Sequence, residues 1–198
     1  MKSKFISSIS LIFVILTFAT ALMSVSASPE DVRDVAIVGV EVSQTTAIPG
    51  EIVSINVTAI NLGNVTESFD VEVYANETEI DTLPVTNLEP GNETTLTFEW
   101  NTTELEPCHF YKITANATGV PDDLNMTNNF FEDGLVKILY KTDLNGDCEV
   151  DMWDIALAAQ AFGAFPGHSR WNPVADLNDD NMVDLKDLGT IAKDFGKT

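Results

Sequence analysis

Basic side chains are scarce. The 198 residues hold 10 Lys and Arg against 31 Asp and Glu, a formal net charge of −21. Phosphate backbones bind through the Lys and Arg that displace their counterions, so this balance excludes nucleic acid as a partner and disfavours anionic lipid. Cysteine is nearly absent, with only Cys108 and Cys148, too few for a disulfide framework. Histidine is limited to His109 and His168. No metalloprotease helix, nucleophile elbow or phosphate loop appears. His109 beside Cys108 reads as structural. Carboxylate pairs arise by accident on so acidic a chain, and a small sandwich leaves little room for a sugar cleft. No catalytic residue is assigned, and the chain is expected not to be an enzyme.

What is present begins with an export signal. Lys2 and Lys4 form a positive start, Leu11–Phe18 is the core of an apolar run, and Val25-Ser26-Ala27 suits cleavage after Ala27. Residues 1–27 are therefore expected to be a signal peptide. The competing reading is an uncleaved anchor, because apolar character runs from Phe5 to about Met23. In either case the rest is expected to be secreted or at the cell surface, with membrane contact only through this segment if it is retained. Of the acids, 20 fall in residues 28–140 with 3 basic residues, and 11 fall in residues 141–198 with 5. The excess acid mostly coats the first module.

Residues 31–140 alternate in period two. Val35, Ile37 and Val40 start the series. Ile52–Ile60, Phe69–Tyr74, Leu96–Trp100, Tyr111–Ala115 and Leu135–Tyr140 continue it. Val, Ile, Thr and aromatic residues suit half-buried strands. Ile48-Pro49-Gly50, Asn61-Leu62-Gly63-Asn64 and Glu89-Pro90-Gly91-Asn92 are turn material. The pattern predicts six or seven strands in an all-β, immunoglobulin-like sandwich. Four motifs in order carry a family likeness: Asn61-Leu62-Gly63-Asn64-Val65, Leu88-Glu89-Pro90-Gly91, Phe98-Glu99-Trp100-Asn101 and Asp123–Asn129. On these the segment resembles the CARDB (cell-adhesion-related) family. That resemblance implies a sandwich with a display or spacer role. Seven N-x-T sequons, at Asn56, Asn64, Asn76, Asn92, Asn101, Asn116 and Asn125, all lie in this half. On an exported chain they are candidate glycosylation sites, though strand composition alone places some such triplets.

Residues 141–198 contain one twelve-residue pattern twice, 33 residues apart. The first copy runs Asp143–Asp154 and the second Asp176–Asp187. Calcium takes six to eight oxygens from such a loop, at positions 1, 3, 5, 7, 9 and 12. The candidate ligands are Asp143, Asn145, Asp147, Glu149, Asp151 and Asp154, then Asp176, Asn178, Asp180, Met182, Asp184 and Asp187. Glu149 and Met182 would offer the main-chain carbonyl of position 7. Two Ca2+ ions are the expected cofactors. Val150 and Val183 at position 8 are expected to pack loop against loop. Position 6 is Cys148 in one copy and Asn181 in the other, where a sharp turn favours Gly. Asn tolerates a left-handed backbone better than Cys, so the second loop is expected to bind more tightly. Each loop leads into a short helix, Asp154–Phe162 and Asp187–Phe195, stopped by Gly163 and Gly196.

The duplicated loop-plus-helix resembles the type I dockerin family over residues 141–198. The resemblance implies a small α domain with two EF-hand-like calcium loops that docks on a cohesin-like domain of another surface protein. It points to Met152, Trp153, Gln160, Leu185, Lys186 and Lys193 as partner-binding. Trp153 is equally readable as core in so small a module, while Trp171 is expected to pack in the linker. Cys108 and Cys148 fall in different modules, so free thiols are the plainer expectation, although an exported chain could bridge them. The function expected is calcium-dependent docking by a secreted, non-catalytic surface protein. The alternative is a calcium-stabilised structural or adhesive surface-layer component whose tail packs on its own sandwich.

Overall fold

Alternating Val, Ile and Thr segments close into two packed sheets. The computed structural model describes residues 30–198, and the leader read at residues 1–27 lies outside them. In chain order the strands are β1 (Val35–Val42), β2 (Thr46–Ala47), β3 (Ile52–Asn61), β4 (Glu67–Ala75), β5 (Thr78–Leu88), β6 (Glu93–Asn101), β7 (His109–Thr118) and β8 (Phe130–Ile138). One sheet has the order β1-β3-β6 and the other β2-β8-β7-β4-β5. Apart from the short parallel pair β2–β8, the pairings are antiparallel. In β3, Val53, Ile55, Val57 and Ala59 are buried on alternate positions and join Val71, Val73, Ile113, Ala115, Val136 and Ile138 in one cluster. Trp100 meets Tyr111 edge to face, with ring centroids 5.4 Å apart.

The sequence reading missed β5. Only Val85 and Leu88 are buried in its eleven residues. It lies at a sheet edge, where Pro84 costs no ladder bond and the outer row can be polar. Strand β8 also begins earlier than the apolar run suggested, at Phe130, and stops at Ile138.

The motifs read as turns prove to be clamps. Asn61 is fully buried. Its Nδ2 donates to Val65 O (2.7 Å) and Leu88 O (2.8 Å), and its Oδ1 accepts from Gly63 N (3.0 Å). A Cβ on Gly63 would lie 2.3 Å from Val32 O, which explains the glycine. Asp123 accepts from Val35 N (3.1 Å), Asn125 N (2.9 Å) and Asn129 Nδ2 (3.2 Å), tying the loop before β8 to the start of β1. Glu67, almost fully buried, receives the Arg33 guanidinium at 3.0 Å on both oxygens.

After β8 the chain forms α1 (Met152–Gln160), a 3₁₀ turn (Pro173–Ala175) and α2 (Leu185–Asp194). Val150, Ala158, Ala161, Ala175, Leu177, Val183 and Ile191 build a second core, with Tyr140, Leu144, Ile155, Trp171 and Leu188 packed against it. Trp171, expected to pack in the linker, packs against this core. The position-8 valines are buried, but the backbone of each pairs with the segment after the other repeat's helix. Val150 N donates to Lys197 O (3.0 Å) and Gly196 N donates to Val150 O (2.8 Å). Gly163 N donates to Val183 O (2.8 Å) and Val183 N donates to Ala164 O (3.0 Å). The ends of the tail are clasped as well. Thr142 Oγ1 donates to Asp194 Oδ2 at 3.0 Å, and the Lys197 ammonium lies 5.3 Å from the Tyr140 ring centroid. Lys197 also bonds Asp194 and, first among the causes, holds its carboxyl below the usual carboxylate range.

An Asn61→Leu variant keeps the heavy-atom branching of the side chain but removes the donor to the Val65 and Leu88 carbonyls and one of the two acceptors of Gly63 N. Its expected cost is about 2 kcal/mol, read as a lower midpoint in urea melts of the sandwich signal; an unchanged midpoint would show that the clamp is dispensable.

Candidate metal centre

Each acidic loop is wound around its first and last carboxylates. Asp143 Oδ1 accepts from Gly146 N (2.8 Å) and its Oδ2 from Cys148 N (2.9 Å). Asp176 does the same with Asp180 N (3.2 Å) and Asn181 N (2.9 Å). At the far end Asp154 Oδ1 accepts from Leu144 N (2.8 Å) and Asn145 N (3.2 Å), and Asp187 Oδ1 from Leu177 N (2.9 Å) and Asn178 N (3.3 Å). Position 12 is thereby folded back onto positions 2 and 3 in both copies. Asn145 Oδ1 accepts from Asp147 N and Asn178 Oδ1 from Asp180 N, each at 3.0 Å.

The same residues start the helices. Asp151 and Asp184 are N-caps, and Asp154 and Asp187 complete capping boxes three residues on. The helices consequently begin at Met152 and Leu185, two residues earlier than read from the sequence. The short arm of Asp at position 12 reaches the cap amide at 2.8 Å in the first copy and 2.7 Å in the second.

Asp154 and Asp187 are 0% exposed, and Asp143 and Asp176 are nearly as buried. Among the described residues no Lys, Arg or His comes within 4.0 Å of these four carboxylates. Burying an unpaired carboxylate is costly unless hydrogen bonds or a cation compensate it. The oxygens gathered in each loop are the kind a hard cation takes. Neither loop, however, draws three carboxylates within 4.8 Å of one another, because each is turned to its own backbone donors. The one set of three His, Cys, Asp or Glu side chains that close among the described residues is Cys108, Asp143 and Cys148. In the second loop Lys186 Nζ donates to Asp180 Oδ2 at 2.9 Å, which lowers the Asp180 pKa and raises that of Lys186.

Position 6 is left-handed as expected, with φ of +76° at Cys148 and +67° at Asn181. Position 4, which the sequence reading overlooked, is also left-handed, at Gly146 (+76°) and Asp179 (+59°). The first loop therefore has the easier residue at position 4 and the harder one at position 6. The strain is shared between the loops, which removes the basis for ranking them on position 6 alone.

The two cysteines stand together rather than apart in separate modules. Cys108 closes the approach to β7, and its Sγ donates to Cys148 O at 3.5 Å. Burial first, and then the hydrogen bond with Cys148, push the Cys108 thiol up to about 12. His109 turns away, its Nδ1 3.0 Å from Pro107 O and its Nε2 3.8 Å from Glu106, so it forms no dyad with Cys108. Lys137 Nζ, on β8, donates to Gly146 O at 2.7 Å. Beside this contact lies a cavity of about 680 Å³, lined by Gln44, Ile48, Leu139, Asn145, Val174 and Asp179 among others.

Trp153 is 69% exposed and Leu185 73% exposed, with Met152 and Lys186 also on the surface. Trp153 is therefore not a core residue. Gln160 and Lys193, farther along the helices, are exposed too. Of the sequon asparagines, Asn56, Asn64, Asn76, Asn92, Asn101 and Asn125 are exposed and Asn116 is half-buried. No helix among the described residues is long and apolar enough to cross a membrane.

The CARDB family model matches residues 33–133, just over half of the chain. Similar solved structures include the CARDB domain of a Pyrococcus furiosus protein, determined in complex with di-metal ions. It is 26% identical, over 55% of this chain and 96% of that one, with a TM-score of 0.47. A domain from Methanosarcina acetivorans, described as part of a cell surface protein, is 28% identical over 55% and 93% of the two chains, with a TM-score of 0.43. A β-glucosidase from Erythrobacter marinus is 15% identical over 54% of this chain and 16% of its own, with a TM-score of 0.42. No curated protein matches the chain. The family match ends before the acidic loops begin, so it characterises the sandwich alone. By that sandwich the chain belongs to the CARDB family.

Proposed function

We propose that this is a secreted cell-surface protein whose tail is a dockerin-like module that binds two calcium ions and docks on a cohesin-like domain. The observation that carries the reading is the pair of loops whose first and last carboxylates are buried without any basic partner among the described residues. A hard cation would offset that burial. The residues that would hold it are Asp143, Asn145, Asp147, Asp151 and Asp154 with the main-chain carbonyl of Glu149. In the second copy they are Asp176, Asn178, Asp180, Asp184 and Asp187 with the carbonyl of Met182. All are oxygen donors, which favours calcium over zinc. Because such a site forms only in the folded chain, ion binding would add directly to the stability of the tail. The exposed Trp153, Met152 and Leu185 would anchor the partner, since exposed aromatics dominate interface energies. Lys186, Gln160 and Lys193 would flank them. The exposed sequons would carry glycans and make the sandwich a shielded spacer.

A second reading has its own support. Lys137 on Gly146 and Cys108 on Cys148 seat the first loop against the sandwich. On that reading the tail is a calcium-stabilised structural cap of a surface-layer or adhesive component.

Calcium titration calorimetry on the chain from residue 28, with circular dichroism in chelator, is expected to give two binding events and a gain of helix. A flat titration removes the calcium reading. Asp187→Asn should weaken one of the two sites by more than about tenfold, roughly 1.4 kcal/mol, and leave the other in place. Trp153→Ala should abolish calcium-dependent capture by surface extracts without changing the calcium titration; capture by neither protein favours the structural cap. The intact mass of the native protein should exceed that of the bare polypeptide, and equality removes the glycans.

A further inference from the structure

The chain contains only two cysteines, 40 residues apart in sequence, and the fold brings them together. The Sγ atoms of Cys108 and Cys148 lie within 4.8 Å of each other. Both thiols are partly exposed. Each backbone is held by its own frame. Cys108 N donates to Ile138 O at 2.6 Å, on the last residue of β8, and Cys148 N donates to Asp143 Oδ2 at 2.9 Å inside the first loop. Both residues are left-handed, with φ of +61° and +76°. Cysteine gains nothing from that conformation, and a residue kept in a sparsely populated region asks for a compensating role. Lys137 on Gly146 O pins the same loop two residues away, so the two cysteines face each other across a fixed contact.

We infer that Cys108 and Cys148 are joined by a disulfide in the exported protein, a covalent tie between the sandwich and the first acidic loop. The bond needs an S–S distance of about 2.05 Å. Two S–H bonds break, one S–S bond forms, and two protons and two electrons leave. They pass to a disulfide-carrying oxidant of an oxidising compartment, either a thiol–disulfide oxidoreductase or a small-molecule disulfide, which becomes two thiols. The tie fixes position 6 of the loop to the entry of β7 and prevents the tail from swinging away. The inference uses the export part of the proposed function and is independent of calcium.

The test uses the protein purified from its native host without reductant. It is denatured in guanidinium with chelator, treated with N-ethylmaleimide and weighed before and after reduction. The expected result is no adduct before reduction and two after it. Trypsin should release one linked pair joining the peptide that ends at Lys112 to the peptide Thr142–Arg170. Two adducts without reductant overturn the inference, and this includes the case of a metal held by free thiols, which the chelator releases. Linkage of two Cys108 or two Cys148 peptides overturns it as well. The same spectrum shows whether residues 1–27 are present. Labelling intact cells with a membrane-impermeant amine reagent shows separately whether the chain is outside: a reduced chain that is labelled faults the bridge itself, and a reduced chain that is not labelled faults export.

Discussion

This chain, with about three acids for every base, leaves four of the five buried carboxylates among its described residues without a side-chain cation. It has to satisfy them with backbone amides, and that constraint shapes both halves. In the sandwich, Glu67 has an arginine to itself. Asp123 instead collects amides from Val35 and Asn125, and in doing so fixes where the loop before β8 meets β1. In the tail, Asp143, Asp154, Asp176 and Asp187 are all held by main-chain N–H groups. Such amides compensate part of the cost of burying a carboxylate, and the chain has to wrap around it to present them. The loops, the helix starts and the turn clamps are thus one solution applied repeatedly.

The repeat in the tail has a structural consequence beyond duplication. Each loop's central valine bonds to the segment that follows the other repeat's helix. The two repeats are therefore interlocked through their main chains. The clasp of Thr142 on Asp194 and of Lys197 over Tyr140 joins the two ends of the module. Two main-chain hydrogen bonds on each side thus tie each loop to the segment after the opposite helix.

Much of this was legible in the sequence because the signals were local. The alternation of β3, the Asn61–Val65 turn, the 33-residue repeat and the stopping glycines each depend on a few adjacent residues. What was not legible depended on the neighbours. Strand β5 has an edge position and a mostly exposed side-chain row, so period-two hydrophobicity had nothing to report. The left-handed backbone at Gly146 and Asp179 depends on how the whole loop winds, because Gly and Asp signal a turn without fixing which residue takes the positive φ. The exposure of Trp153 could not be read from a nine-residue helix with apolar residues on several sides. The proximity of Cys108 to Cys148 was the less favoured reading because sequence segmentation put them in different modules, while the seating of the tail on β7 and β8 brings them together.

That seating also bears on the two functional readings. The contact with the sandwich uses Gly146 and Cys148, in the middle of the first loop. Trp153, Met152 and Leu185 lie at the starts of the two helices and remain exposed while that contact is made. A tail fastened to its own sandwich therefore keeps its apolar residues available, so self-packing and docking make no competing demand on them. Fastening would also reduce the orientational freedom lost when a partner binds, because the module is already held in one pose. A rigid spacer carrying a fixed docking face differs in this respect from a docking module on a flexible tether, and the short run from Ile138 to Asp143 suits the rigid arrangement.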